Sequence, residues 1–181
     1  MTRTVMDKDG VSDALAKMAE AISPAETLAP IAIVGIRRGG EHVARRLVKL
    51  IAETSGTEPP LGMVDITLYR DDGFGPSDWP DVGITEIPFR LREHTVVLVD
   101  DVLFTGRTVR SALGAILDYG RPRSVRLAVL VDRGHRELPI QADFCGVTFD
   151  TELTDRVEVI FTESGGATDS VIVKTRTGEE N

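Results

Sequence analysis

The sequence predicts an α/β fold, a mostly parallel sheet with helices packed on both faces. Three observations carry that reading. Short apolar runs, Ile31 to Val34 and Val96 to Val99, have the composition of strands covered on both sides, and Val125 to Val131 reads as a further strand. Stretches with apolar residues at helical spacing lie between them, and such alternation builds parallel sheets. The first two runs end in Gly35 and in Asp100-Asp101, turn or polar signals at what would be the carboxyl edge of the sheet.

The elements follow in order. Leu15, Met18, Ala19 and Ile22 sit at helical spacing behind Ser12-Asp13, an expected cap, and Pro24 helps to end the helix. The strand at Ile31 follows. Val43, Leu47, Leu50 and Ile51 then form the apolar face of a second helix, which stops before Gly56. From Leu61 to Tyr69, Val64, Ile66 and Leu68 alternate with Asp65, Thr67 and Tyr69, the period of a half-buried strand. Arg70 to Pro80 is polar and rich in Gly and Pro, and long excursions of this kind are usually functional. Trp79 is expected to pack within it. After the strand at Val96, a helix with Val109, Ala112, Leu113, Ile116 and Leu117 on one face closes at Gly120, with Pro122 beyond. The strand at Val125 and a strand-rich tail complete a single domain over residues 1–181, frayed after Gly178.

Composition narrows the class. With 21 Lys and Arg against 29 Asp and Glu, the net charge is −8, which disfavours a protein whose main task is gripping a polyanion. One cysteine, Cys145, excludes an intrachain disulfide, and it reads as a small, partly buried apolar residue. No apolar run has the length of a membrane span, and the charged first twenty residues lack the core of a signal peptide. A cytoplasmic location is expected. His42 and His94 read as surface residues.

The segment Asp100 to Thr108 carries the chemistry. Thr105-Gly106-Arg107-Thr108 opens a helix, where unpaired backbone N–H groups and the helix dipole favour a phosphate. Thr105 and Thr108 add hydroxyls, and Gly106 lets the backbone approach an anion. Asp100 and Asp101 would repel that phosphate if aimed at it. They suit the hydroxyls of a sugar, or a divalent metal shared with other phosphates. Together these features describe a phosphorylated ribose. Helix capping explains one acid, not two followed by Thr-Gly-Arg-Thr.

Val96 to Thr108 resembles the phosphoribosyl-pyrophosphate (PRPP) signature of type I phosphoribosyltransferases. With Asp65-Ile-Thr-Leu-Tyr-Arg-Asp-Asp72 and Leu127-Ala-Val-Leu-Val-Asp-Arg-Gly-His-Arg-Glu-Leu-Pro-Ile140, the chain is more specifically similar to the bifunctional pyrimidine-operon regulator / uracil phosphoribosyltransferase family. The likeness runs from the N-terminal helix to about Val159. It implies the type I fold, with a small hood built from the N- and C-terminal segments and a mobile loop over about residues 70–88. It implies conversion of uracil and PRPP to UMP and pyrophosphate, with Mg²⁺ carried mainly by the substrate. By position, Asp100 and Asp101 would hold the ribose hydroxyls and any metal, Val102, Leu103 and Phe104 would continue the motif, and Thr105, Gly106, Arg107 and Thr108 would hold the 5′-phosphate. Arg37, Arg38 and Arg70 would be the cations for pyrophosphate, Arg70 as a catalytic group, and Arg133 and Val157 would lie near the nucleotide. A cation at a helix start is unfavourable without an anion, which supports an anion beside Arg37 and Arg38. His135 is not assigned as a general base. A homo-oligomer, a dimer or higher, is expected from the family.

The family's second activity is RNA binding at the pyrimidine messenger leader. Glu20 and Gln141 stand where that resemblance leads one to expect a histidine and an arginine, and the stretch past Gly146 lacks the expected lysine. Fewer phosphate contacts and a net charge of −8 weigh against RNA regulation by this chain. In the turn Gly35 to Gly40, Arg38-Gly39 replaces the family's Thr-Arg pair, displacing one guanidinium by a residue. The residues alone do not choose uracil over another base; the family match does.

Overall fold

The computed structural model describes residues 1–23, 29–71 and 82–175. Trp79, most of the Arg70–Pro80 excursion, Pro24 and the tail after Gly178 lie outside the described residues. Strand β2 (Ile31–Ile36), β3 (Leu61–Val64), β4 (Thr95–Leu103), β5 (Ser124–Asp132) and β6 (Phe144–Thr148) form one parallel sheet in the order β3-β2-β4-β5-β6. The α/β expectation holds.

Alternation along the strands divides the core in two, because successive side chains point to opposite faces. Ile33, Val97, Val99, Ala128 and Leu130 face α1 (Lys8–Ile22) and α2 (Gly39–Ser55). Val34, Ile36, Val96, Leu98, Leu127 and Val129 face α3 (Arg107–Asp118). Leu98 and Leu130 are fully buried on opposite sides, and truncating either to alanine would cost about 2–5 kcal/mol.

A second, antiparallel sheet of order β1-β8-β7 joins β1 (Thr2–Met6), β8 (Ser170–Lys174) and β7 (Arg156–Ile160). Arg3 pairs with Val173, and Val173 with Val157. Val157, Val171, Val173 and Phe161 bury against the α1/α2 face of the main sheet. This small sheet is therefore made of the two ends of the chain, seated on the core by four apolar side chains.

Several local expectations need correction. Residues Thr2–Met6 form a strand, so the chain opens on β rather than on a helix. Asp7, not Ser12-Asp13, caps α1: its carboxylate accepts from the Gly10 N–H at 2.9 Å, a full turn earlier. The strand at Leu61 ends at Val64, because Asp65 folds back to accept from the Thr67 N–H at 3.0 Å and a 3₁₀ turn over Thr67–Tyr69 follows. Leu117 is 56% exposed; Ala115 takes its place on the buried face of α3. Cys145 is exposed on the edge strand β6. His42 and His94 are half-buried, with rings against Phe161 and Phe89.

Candidate active site

Parallel pairing of β2 with β4 places Gly35 beside Val99, so the turn that follows β2 lies next to Asp100 and Asp101. Both acids belong to β4 itself, which continues to Leu103. The approach leaves no free space for a side chain at Gly39 or Gly40. A Cβ on Gly40 would lie 2.3 Å from the Val99 carbonyl oxygen, and one on Gly39 would lie 2.1 Å from Asp101 Oδ2. Two glycines open α2 because the strand end and its carboxylate occupy the space where their side chains would be.

Asp100 is 5% exposed, more enclosed than a group at an open strand end. Burial, and then the charge of Asp101, hold its carboxyl well above the usual carboxylate range. Burial also raises Asp101, opposed by hydrogen bonding with Asp100 and by the Val102 N–H, which donates to its Oδ1 at 2.9 Å. Two adjacent acids in a poorly solvated strand end favour a ligand that brings hydroxyl donors or positive charge. Among the described residues no three metal-ligating side chains converge here or elsewhere. Asp100 and Asp101 are the carboxylates that could hold a divalent ion shared with a substrate's own oxygens.

Past Leu103, whose side chain is buried in the core facing α3, the chain turns through Phe104 and Thr105 into α3. Gly106 has φ +93°, a conformation that suits glycine, and no side chain caps the helix. The Thr105 hydroxyl receives only a long hydrogen bond, 3.4 Å, from the Arg107 N–H. A cleft of about 350 Å³ opens beside this helix start. Thr105, Thr108, Arg107, Phe104 and Arg70 line it, so the structure gathers these predicted residues in one place.

The cations are distributed differently from the expectation. A cation at a helix start needs an anion beside it, and the protein supplies two for Arg37: Nη1 lies 3.2 Å from Glu41 and Nη2 lies 3.6 Å from Glu86. Its Nε is buried without a hydrogen-bond partner among the described residues. The Arg107 side chain bridges Asp71 at 2.7 Å and Glu137 at 2.6 Å, so it ties the helix start to both neighbouring loops. Val157 packs its side chain into the core through β7.

Arg133 is only 5% exposed, and its guanidinium stacks 4.0 Å from the centroid of Phe104. It donates to the carbonyls of Asp155 at 2.6 Å and Glu152 at 2.7 Å, fixing the segment that leads into β7. His135 Nε2 lies 2.7 Å from the Thr151 carbonyl. Arg136 was not singled out from the sequence, yet it hydrogen-bonds the Phe104 carbonyl at 2.8 Å and the Ile140 carbonyl at 2.9 Å, and it pairs with Asp132. Its place as the second arginine of Arg-Gly-His-Arg was the available signal. Glu20 and Gln141 are both exposed.

This fold, with an acid pair at one strand end and an open helix start beyond it, defines a phosphoribosyltransferase. Residues 4–160 match the family model described as "Phosphoribosyl transferase domain", and the chain belongs to that family. It is 50% identical over 171 residues to the bifunctional protein PyrR of Geobacter sulfurreducens, covering 94% of this chain and 97% of the relative. The PyrR of Listeria monocytogenes is 47% identical over 173 residues, covering 93% and 94%. Among solved structures, the fold resembles a hypoxanthine-guanine phosphoribosyltransferase from Leishmania tarentolae in complex with GMP. There the TM-score is 0.68 at 18% identity, over 94% of this chain and 95% of that one. The family expectation from the sequence holds.

Proposed function

We propose that the protein transfers the phosphoribosyl group of PRPP to N1 of uracil, releasing pyrophosphate and forming UMP. The observation that carries this is the packing of Gly39-Gly40 against Asp100-Asp101, which joins a turn suited to pyrophosphate to an acid pair suited to ribose. Similarity to proteins named bifunctional PyrR supports uracil as the base.

In the transfer, the bond from C1′ to the pyrophosphate oxygen breaks, the bond from C1′ to uracil N1 forms, and the N1 proton leaves to solvent. Positive charge builds on the ribose and negative charge on the leaving group. Asp100 and Asp101 accept from the ribose hydroxyls and place negative charge beneath the forming cation. Thr105, Thr108 and the N–H groups that open α3 hold the 5′-phosphate. Arg37, Arg38 and Arg70 flank the leaving pyrophosphate, and the Arg37 Nε is an available donor. Asp100 and Asp101, together with the substrate, would hold Mg²⁺, which when bound would supply positive charge to offset that of the leaving group. Arg133, stacked on Phe104, lies near the nucleotide and holds the segment leading into β7.

No helix among the described residues is long and apolar enough to cross a membrane. The cytoplasm is the proposed location.

A turnover assay with PRPP, Mg²⁺ and each of uracil, orotate, adenine and hypoxanthine tests the proposal. Release of pyrophosphate with uracil and not with the other bases is expected. Absence of uracil turnover would overturn it.

A further inference from the structure

At the opposite, amino-terminal edge of the main sheet, two turns meet. The Arg123 N–H donates to the His94 carbonyl at 3.0 Å, which joins the turn before β4 to the turn before β5. Between them lies a cleft of about 650 Å³ lined by Arg92, Arg121 and Arg123, with Glu93 and Pro122. All three arginines are exposed. Among the described residues their guanidinium groups have no hydrogen-bond or ion-pair partner, and of the other described arginines only Arg3 shares that condition. Glu93, the one acid in the lining, is offset by Arg90 at 3.7 Å.

This arrangement runs against much of the molecule. A chain of net charge −8 has acids to spare, and Arg37, Arg46, Arg126 and Arg133 are all paired with carboxylates or carbonyls. Three like charges left uncompensated on two joined turns repel one another, and an anion bound between them removes that repulsion. The guanidinium is the side chain whose planar fork matches phosphate oxygens.

We propose that this cleft binds a compact, soluble polyphosphate, such as the phosphate chain of a nucleoside triphosphate. The size of the cleft is within the range of small-ligand sites. Compactness follows from the surroundings: the unpaired arginines form a cluster confined to two turns rather than a stripe, and the next arginine along β5, Arg126, is already paired with Asp143 at 2.7 Å. The site is separate from the substrate edge and does not depend on the transferase reading.

Calorimetric titration of the full-length chain with inorganic tripolyphosphate at low ionic strength tests this. Compared with wild type, the Arg92→Ala/Arg121→Ala/Arg123→Ala variant should lose one equivalent of bound tripolyphosphate per chain while uracil turnover is unchanged. The corresponding triple lysine variant keeps the charge but loses the fork, and its affinity at this site should fall about tenfold. That variant decides the matter if the alanine variant does not fold. Identical isotherms for wild type and variants would overturn the proposal. So would equal affinity for monophosphate. A 20-nucleotide single-stranded RNA that needs the same arginines and outcompetes tripolyphosphate would overturn it in favour of a nucleic-acid surface.

Discussion

The carboxylate of Asp101 stands where a side chain on residue 39 would have to be: a Cβ on Gly39 would lie 2.1 Å from Asp101 Oδ2 and 2.3 Å from Cγ. The obstruction is the end of a side chain, so Gly39→Ala should fold with the carboxylate pushed aside. Its kcat/KM for PRPP should fall about 100-fold, because small displacements of a positioned group are costly to rate. At Gly40 the obstruction is backbone, the Val99 carbonyl oxygen at 2.3 Å and Asp100 Cα at 2.9 Å. There Gly40→Ala should cost stability, about 1–3 kcal/mol or more. Parallel Tm and kinetic measurements on the two variants check this contrast. An active, stable Gly39→Ala enzyme would contradict it.

Asp100→Asn should lower kcat about 100-fold or more while leaving the fold as stable or more so, since it removes one of two buried, mutually repelling charges. The pH dependence has a definite sign. A carboxyl raised in the folded state contributes stability at low pH, and that contribution is lost as pH rises through the folded value. The Tm of wild type relative to the variant should therefore fall as pH increases from acidic to neutral. A melting series on both proteins reads this directly; a gap independent of pH would show that the acid pair is relaxed.

Arg46 of α2 grips the turn between β7 and β8. It lies 2.5 Å from Asp169 and 2.6 Å from Glu163, with its guanidinium 4.7 Å from the centroid of Phe161. Arg46→Ala should cost about 1–2 kcal/mol, discounted because Glu163 is half exposed. Hydrogen bonding from Arg46 brings the Glu163 carboxyl down to about 2 from an ordinary 4.5. A depressed carboxyl contributes stability above its unfolded value, and that contribution is lost as pH falls through the folded one. Acid unfolding between about pH 4.5 and 2 should accordingly begin earlier in Glu163→Gln than in wild type, as circular dichroism would show.

Arg133→Lys should loosen the segment before β7 although the charge is kept. Lysine cannot reproduce the planar stack on Phe104 together with hydrogen bonds to the Glu152 and Asp155 carbonyls. Each carbonyl left without its donor costs about 1–3 kcal/mol if it stays buried. Faster amide exchange over residues 150–155, with exchange in β4 unchanged, is the expected result.

Much of the site was legible because its signals are local. Asp100 to Thr108 is one continuous strand-to-helix passage, and the glycine and hydroxyl positions proposed to hold a phosphate lie within nine residues. Helical and strand periods placed β2, β4, β5 and the helices, while β6 was expected only as part of a strand-rich tail. They failed at Leu61 to Tyr69, where alternation persisted in the sequence while Asp65 turned the chain by bonding to Thr67. They also missed Thr2–Met6, a five-residue strand whose partner lies at the other end of the chain.

By itself, then, the sequence determined the α/β class, the order of the main-sheet elements and the phosphoribosyl signature, because each depends on residues close together in the chain. Only the tertiary structure decided that Asp100 is buried, that Glu41 and Glu86 neutralise Arg37, and that Arg136 locks the loop beneath Phe104. It alone brought Arg92 to Arg121 and Arg123. Charge and burial at those positions are set by segments that meet through sheet pairing, and no spacing within a single segment records which distant one will be its neighbour.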